Sequence, residues 1–215
     1  MNRLRIGIAA AALAATSAAA CAAAPSVRNL VVSDESPALT LRVAPDFAPL
    51  PPLRFPIENL TNAERRIFVD ADADRRVERM VVVQFERVQP GSDFRFVFPS
   101  TPPRRFGDQV YRAGAFAYDE EQAAAEQPSR EAARTRAFLT DRGFTVPRYW
   151  RVGRLARVSD PAGLSEVIIF YFENGDSAFA AAPPPRDADG DFVVDEAERE
   201  RLLSRLETVV EVLDG

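Results

Sequence analysis

Val167-Ile168-Ile169-Phe170-Tyr171-Phe172 is the stretch that decides the fold. Successive side chains of a strand point to opposite faces, so six apolar residues in a row need cover on both sides. The run reads as a central strand. It is closed by Glu173-Asn174-Gly175-Asp176, whose Asn-Gly pair accepts turn geometry. Working outward, Tyr149 to Val158 is a strand with Trp150, Val152, Ala156 and Val158 in phase. Val77 to Val88 is a longer strand that places Val77, Val81, Val83 and Phe85 on one face. Ile67-Phe68-Val69 is a brief strand before the polar turn Asp70 to Arg76, and Val110 to Tyr118 is another, with Val110, Phe116 and Tyr118 on one side. Phe94-Arg95-Phe96-Val97-Phe98 alternates between aromatic and other residues, as a strand does, and ends at Pro99.

Helical signals fall between and after these strands. Asp119 to Gln127 is rich in Glu, Gln and Ala, and Pro128 interrupts or restarts it. Ser129 to Arg142 is the firmer helix, burying Ala132, Phe138 and Leu139, with Gly143 placed to end it in a left-handed turn. A last amphipathic helix, Asp195 to Leu213, carries Leu202, Leu206, Val209 and Leu213 on one stripe and charges opposite. Prolines 45, 49, 51, 52 and 56 forbid a helix over 44–56 and imply an extended, wrapping segment. The expected class is α+β: an antiparallel sheet of about six strands, one internal helix and a C-terminal amphipathic helix. The expected organisation is an export segment over 1–20, a tether over 21–36 and the main domain over 37–177. A Pro/Asp-rich linker over 178–194 and the C-terminal helix over 195–215 complete it.

Composition excludes much chemistry. The 215 residues include no histidine and one cysteine, and all 27 basic residues are arginine. No imidazole triad, Schiff-base lysine or phosphate-loop lysine can be built, and one cysteine makes no internal disulfide. Residues 1–20 hold two arginines and no acid, so removing them takes the net charge from −5 to −7. Such a chain has no general attraction for nucleic acid, and none is expected as a partner. The remaining catalytic vocabulary is Asp, Glu, Tyr, Ser, Thr and Arg.

The N-terminus sets the compartment. Arg3 and Arg5 precede an uncharged stretch from Ile6 to Ala20, and small residues run up to Cys21 as Ser17-Ala18-Ala19-Ala20. Basic, apolar and small in that order is a secretory signal, too short to span a bilayer. It resembles the signal of bacterial lipoproteins, whose cysteine becomes the lipidated first residue. The resemblance implies acylation at Cys21 and, because Ala22 rather than an acid follows, the outer membrane. Ordinary cleavage after Ala20 or Ala24, giving a soluble periplasmic protein, is the alternative.

One segment carries recognisable chemistry. Asp187, Asp189, Asp191, Asp195 and Glu198 fall at the first, third, fifth, ninth and twelfth positions of a twelve-residue run. Calcium takes six to eight hard oxygens, which alternate residues of a tight loop can supply. The run resembles an EF-hand loop, and the resemblance implies calcium as a cofactor held by these five acids. It departs from that pattern at the sixth position, where Phe192 replaces the glycine of the sharp turn, and Pro183-Pro184-Pro185 forbids an incoming helix. The same residues also read as a capping box, with Asp195 capping the helix and Glu198 three residues on. Asp70, Asp72 and Asp74 form a second acidic cluster, read as a hairpin turn.

Other residues read as structural. Glu86, Glu166 and Glu173 offer carboxylate pairs for a hydrolase but are expected to face solvent. Arg148, Arg151, Arg154 and Arg157 recur every third residue and so alternate faces. Phe94, Phe96 and Phe98 read as core rather than a ligand pocket. The functional expectation is an exported, lipid-anchored envelope protein that binds another envelope protein or a small apolar ligand without catalysis. A calcium-binding protein using the 187–198 loop and an exported carboxylate hydrolase are the alternatives. The hydrolase requires paired acids in a cleft with a raised pKa.

Overall fold

A computed structural model describes residues 29–33, 38–97, 102–126, 129–186 and 192–214. Cys21 and the export segment, Asp187, Asp189 and Asp191, and Phe98 lie outside the described residues.

The class is mixed and antiparallel, with eleven strands in two sheets and three helices among the described residues. The smaller sheet orders β1 (Leu30–Ser33), β2 (Leu39–Val43) and the C-terminal β11 (Val210–Asp214) as β1-β2-β11. The larger contains β3 (Ala48–Pro49), β4 (Leu53–Ile57), β5 (Thr61–Ala71), β6 (Val77–Val88), β7 (Pro103–Phe106), β8 (Gln109–Asp119), β9 (Tyr149–Val158) and β10 (Ser165–Asn174). Its order is β3-β5-β6-β10-β9-β8-β7, with β4 also pairing β5. The apolar run is central as expected: β10 lies between β6 and β9, and nine of its ten residues are buried. The helices are α1 (Glu120–Glu126), α2 (Glu131–Thr140) and α3 (Glu196–Val209), and none is long and apolar enough to cross a membrane.

Each face of the large sheet has its own core. On one, Val81, Val83, Ile169 and Tyr171 pack against Leu39, Leu41 and Val43 of the small sheet and Leu202, Leu203 and Leu206 of α3. On the other, Met80, Val82, Trp150, Phe170 and Phe172 pack against Phe138 and Leu139 of α2. Burial of a leucine this complete is worth about 1.5–3 kcal/mol, so the terminal helix is held by its own domain. Gly153 of β9 lets it approach: a Cβ there would stand 3.1 Å from the Leu202 carbonyl oxygen. Gly143, at φ +76°, makes the left-handed turn expected after α2.

Several expectations need correction. The strand count of about six is too low, because the Pro-rich segment supplies β3 and β4. These lie along the edge of the sheet, where a proline costs no ladder bond. Leu30–Ser33, placed in the tether, is β1, paired antiparallel with β2. The single internal helix is two, α1 and α2, on either side of Pro128. The terminal helix stops at Val209, where the chain turns extended at Val210 (φ −123°, ψ 129°) and enters β11, so Leu213 lies on a strand. Phe94 and Phe96 lie in irregular backbone instead of a strand. β10, β9 and β8 stand between β6 and β7, and the described part of this connection, 89–97, joins no ladder. The two rings instead pack edge to face at 5.1 Å, and the Phe96 N–H donates to the Gly163 carbonyl (2.9 Å).

Two face assignments also change. A register shift opposite Asp70–Ala71 adds a residue to β6, so Val77 joins Met80 and Val82 rather than Val81 and Val83. On β8 the buried side is Tyr111 and Ala113, whereas Val110 and Phe116 are exposed. The small residues Ala113, Ala115 and Ala117 occupy the face that α3 approaches.

Candidate functional site

Beside Val32 and Ser33 of the small sheet, over β4, β5 and β6, lies a groove of about 740 Å³. This is within the range of small-molecule sites. Antiparallel register builds it: Asn62 faces Arg87, Glu64 faces Phe85, and Arg66 faces Val83. Arg66 and Arg87 therefore flank Phe85 diagonally and along the strand, on one face. Val32 of β1, 54% exposed, lines the groove as well, and Arg54 reaches it from β4. Among the described residues, Glu64 is the one acid in the lining. It accepts from Arg54 Nε and pairs with Arg66 Nη2 at 2.6 Å. One carboxylate thus serves two guanidinium groups, and Arg66 Nε is buried without a hydrogen-bond acceptor. Among the described residues the lining combines an apolar floor with Arg54, Arg66, Arg87 and Glu64.

The opposite face of the same sheet holds a buried polar network. Glu166 of β10 lies opposite Glu86 of β6, and they are 5% and 6% exposed. Glu86 accepts from Thr61 Oγ1 (3.1 Å) and from Gln84 Nε2. Arg65 donates to Gln84 Oε1, to Thr135 Oγ1 (2.5 Å) and to the Glu131 carbonyl (3.2 Å), and lies between the rings of Phe55 and Phe170. Burial pushes the Glu166 carboxyl up to about 8, the Glu86 charge pushes the same way and Arg154 opposes. Burial also raises Glu86. Glu166 Oε2 has no hydrogen-bond partner. Glu120 is a further buried carboxyl on this side, raised by burial and opposed by hydrogen bonds from Tyr118 and Trp150. The expectation that Glu86, Glu166 and Glu173 face solvent is therefore overturned for all three. They sit on the two innermost strands, both of whose faces are covered.

Glu173 is the anchor of α3. Its carboxylate accepts from the Tyr171 hydroxyl (2.9 Å) and from both terminal nitrogens of Arg201 (3.1 and 2.7 Å), and pairs with Arg151 at 3.2 Å. Burial raises its pKa, but Arg201, Tyr171 and Arg151 together hold it below the ordinary carboxylate value. The arginines of β9 alternate faces as expected. Arg151 joins this cluster and Arg157 donates to Gln109, while Arg154 lies across the sheet beside Glu166.

Of the five acids assigned to calcium, two are described. Asp195 Oδ1 accepts from the Glu198 N–H at 2.8 Å, the bond of a helix cap. Glu198 turns both oxygens to arginines, meeting Arg201 at 2.7 and 2.8 Å and Arg151 at 3.2 Å. Arg201 is the main reason its pKa is lowered. A metal bound by Glu198 would have to displace these partners. Phe192, in place of the turn glycine, has its ring 3.8 Å from the Arg186 guanidinium. Among the described residues no three acids, cysteines or histidines gather as metal ligands. In the second cluster Asp72 Oδ1 accepts from the N–H groups of Asp74 (2.9 Å) and Arg76 (2.8 Å), the hairpin role expected of it.

Sequence reasoning missed Arg54, Arg66 and Arg87 as a group, and the contact of Glu86 with Glu166. Both depend on cross-strand register. Comparison of the chain with protein-family models, curated proteins and solved structures gives no match.

Proposed function

We propose that this is an exported envelope protein, lipid-anchored at Cys21, whose folded domain is a non-catalytic binding module with the groove beside Phe85 as its ligand site. The observation that carries the reading is the groove itself: open, of ligand size, and lined by a half-exposed apolar floor and by arginines. The hydrolase alternative needs two carboxylates facing one cleft. Here the described residues of the groove include the single acid Glu64, already paired with Arg54 and Arg66, whereas Glu86 and Glu166 lie on the other face of the sheet. The basic, apolar and small order of residues 3–20 supports export, and the cysteine at its end supports the anchor.

The test is expression of the full chain and of Cys21→Ala in a bacterium with an outer membrane. Wild type is expected in the membrane fraction with acyl groups on its N-terminal peptide by mass spectrometry, and the variant in the soluble periplasm. Identical fractionation and an unmodified Cys21 would refute the anchor.

A further inference from the structure

We propose that the small cavity between α2 and the large sheet is a site for one buried water, bound to Glu120 Oε1 and bridging the start of α1 to α2. The polar side chains that line it are Arg65, Tyr118, Glu120, Thr135, Arg136 and Trp150. Glu120 is 2% exposed, and among the described residues its Oε1 has no hydrogen-bond partner. The residue is fixed in place. Its N–H donates to the Arg148 carbonyl (2.7 Å), and Asp119 Oδ1 caps the turn that follows by accepting from the N–H groups of Glu121 (3.0 Å) and Gln122 (3.2 Å). A buried polar atom left without a partner is costly, and ordered water is the usual remedy. The space open to the centre of a water-sized sphere is about 10 Å³, the size that holds a single water.

The chemistry of the lining selects the occupant. Arg65 and Arg136 face the carboxyl, so a cation would meet two guanidinium groups and an anion would meet Glu120. Burial raises the Glu120 pKa, and Oε1 needs a donor when the carboxyl is ionised but an acceptor when it carries the proton. Water serves in both states. Thr135 gives the second contact: its Oγ1 accepts from Arg65 Nη1 (2.5 Å), and its own hydroxyl hydrogen is a donor to the water. With the Arg136 guanidinium these make the two to four partners that a buried water takes.

The experiment is a crystal structure of the full chain carrying Cys21→Ala, at a resolution that defines ordered waters, and of the same chain with Glu120→Leu or Glu120→Gln. One water is expected at about 2.6–3.2 Å from both Glu120 Oε1 and Thr135 Oγ1. Glu120→Leu offers it no bond and should lose it. Magnetic relaxation dispersion of water oxygen, which counts long-lived internal waters in solution, should then register one fewer. Glu120→Gln keeps the shape, a donor and an acceptor, so it should keep the water and tests the site even where the leucine variant does not fold. A cavity without ordered density, or Oε1 bonded directly to a rearranged Arg136, would overturn the site. A water retained in Glu120→Leu, or lost in Glu120→Gln, would overturn Glu120 as its ligand.

Discussion

Glu166 stands directly across the β6–β10 ladder from Glu86, with both carboxyls buried on the face opposite the groove. Two like charges this close in a poorly solvated site do not both ionise readily. The groups facing them are Arg65 from β5, Arg154 from β9 and Glu131 from α2, with Thr61 and Gln84 donating or accepting at short range. Glu166 is pushed up to about 8, above its unfolded value of 4.5. The folded state then holds a proton that the unfolded chain releases between those limits. Stability is therefore full below pH 4.5 as far as this pair is concerned, and is lost as pH rises toward 8. Thermal unfolding followed by circular dichroism should show the midpoint falling from pH 5.5 to 8.5. Glu166→Gln should flatten the profile and exceed wild type at pH 8.5 by about 1–2 kcal/mol, several degrees in Tm. A midpoint that rises over this range would contradict the pairing.

Glu173 predicts the opposite sign. Its carboxylate is held below the ordinary value by Arg201, Tyr171 and Arg151, against the effect of burial. The contribution is present above pH 4.5 and lost as pH falls through the lower folded value. Because Glu173 ties α3 to β10, amide exchange in α3 should accelerate in acid ahead of β10. Glu173→Ala would leave Arg201 and Arg151 with Glu198 alone, and a cost of about 2–4 kcal/mol in urea unfolding is expected. Glu173→Gln, which keeps the Tyr171 bond, should cost less.

Asp195 and Glu198 separate the cap from the metal. The bond from the Glu198 N–H to Asp195 needs no ion, so Asp195→Ala should cost about 1 kcal/mol with calcium or with chelator. Glu198→Ala removes two arginine contacts and should destabilise equally in both conditions. A calcium-dependent gain in Tm that Glu198→Ala abolishes would instead make 187–198 a calcium site, and would require Glu198 to leave Arg201 and Arg151.

What was legible followed periodicity and local chemistry. The apolar run 167–172, the phase of Trp150, Val152 and Ala156, the glycine after α2 and the alternating arginines of β9 all depend on the near neighbours of each residue. What was not legible depended on pairing at a distance. Glu86 and Glu166 are eighty residues apart in the sequence, and only the antiparallel register brings them together. An isolated Glu in a strand reads as solvent-facing because that is cheapest, and the extra residue in β6 moved Val77 without leaving a sign in composition. The groove arginines look like ordinary surface charges on alternate strand positions until register sets them around one groove with Val32 and Ser33. The terminal strand was hidden because Val209-Val210 continues the helical stripe for two residues before β2 captures it, the Ala44 N–H donating to the Val209 carbonyl at 2.8 Å.

The packing of α3 rests on one position where a methyl group is too much. Gly153 has ordinary backbone, so its need is purely steric: a Cβ would meet the Leu202 carbonyl oxygen at 3.1 Å and its carbonyl carbon at 3.2 Å. Both are backbone atoms of a helix whose Leu202, Leu203 and Leu206 are fully buried, so neither can yield without moving the helix. Gly153→Ala should therefore destabilise by about 1–3 kcal/mol although it raises β propensity and adds apolar surface. Leu202→Ala should cost about 2–5 kcal/mol alone. It keeps the Leu202 carbonyl and Cβ that the new methyl meets, so it gives that methyl no room and the two costs should add. Equilibrium urea unfolding of the two single variants and the double completes the cycle. A double variant much less destabilised than the sum would show that the Leu202 side chain, and not its backbone, sets the limit at Gly153.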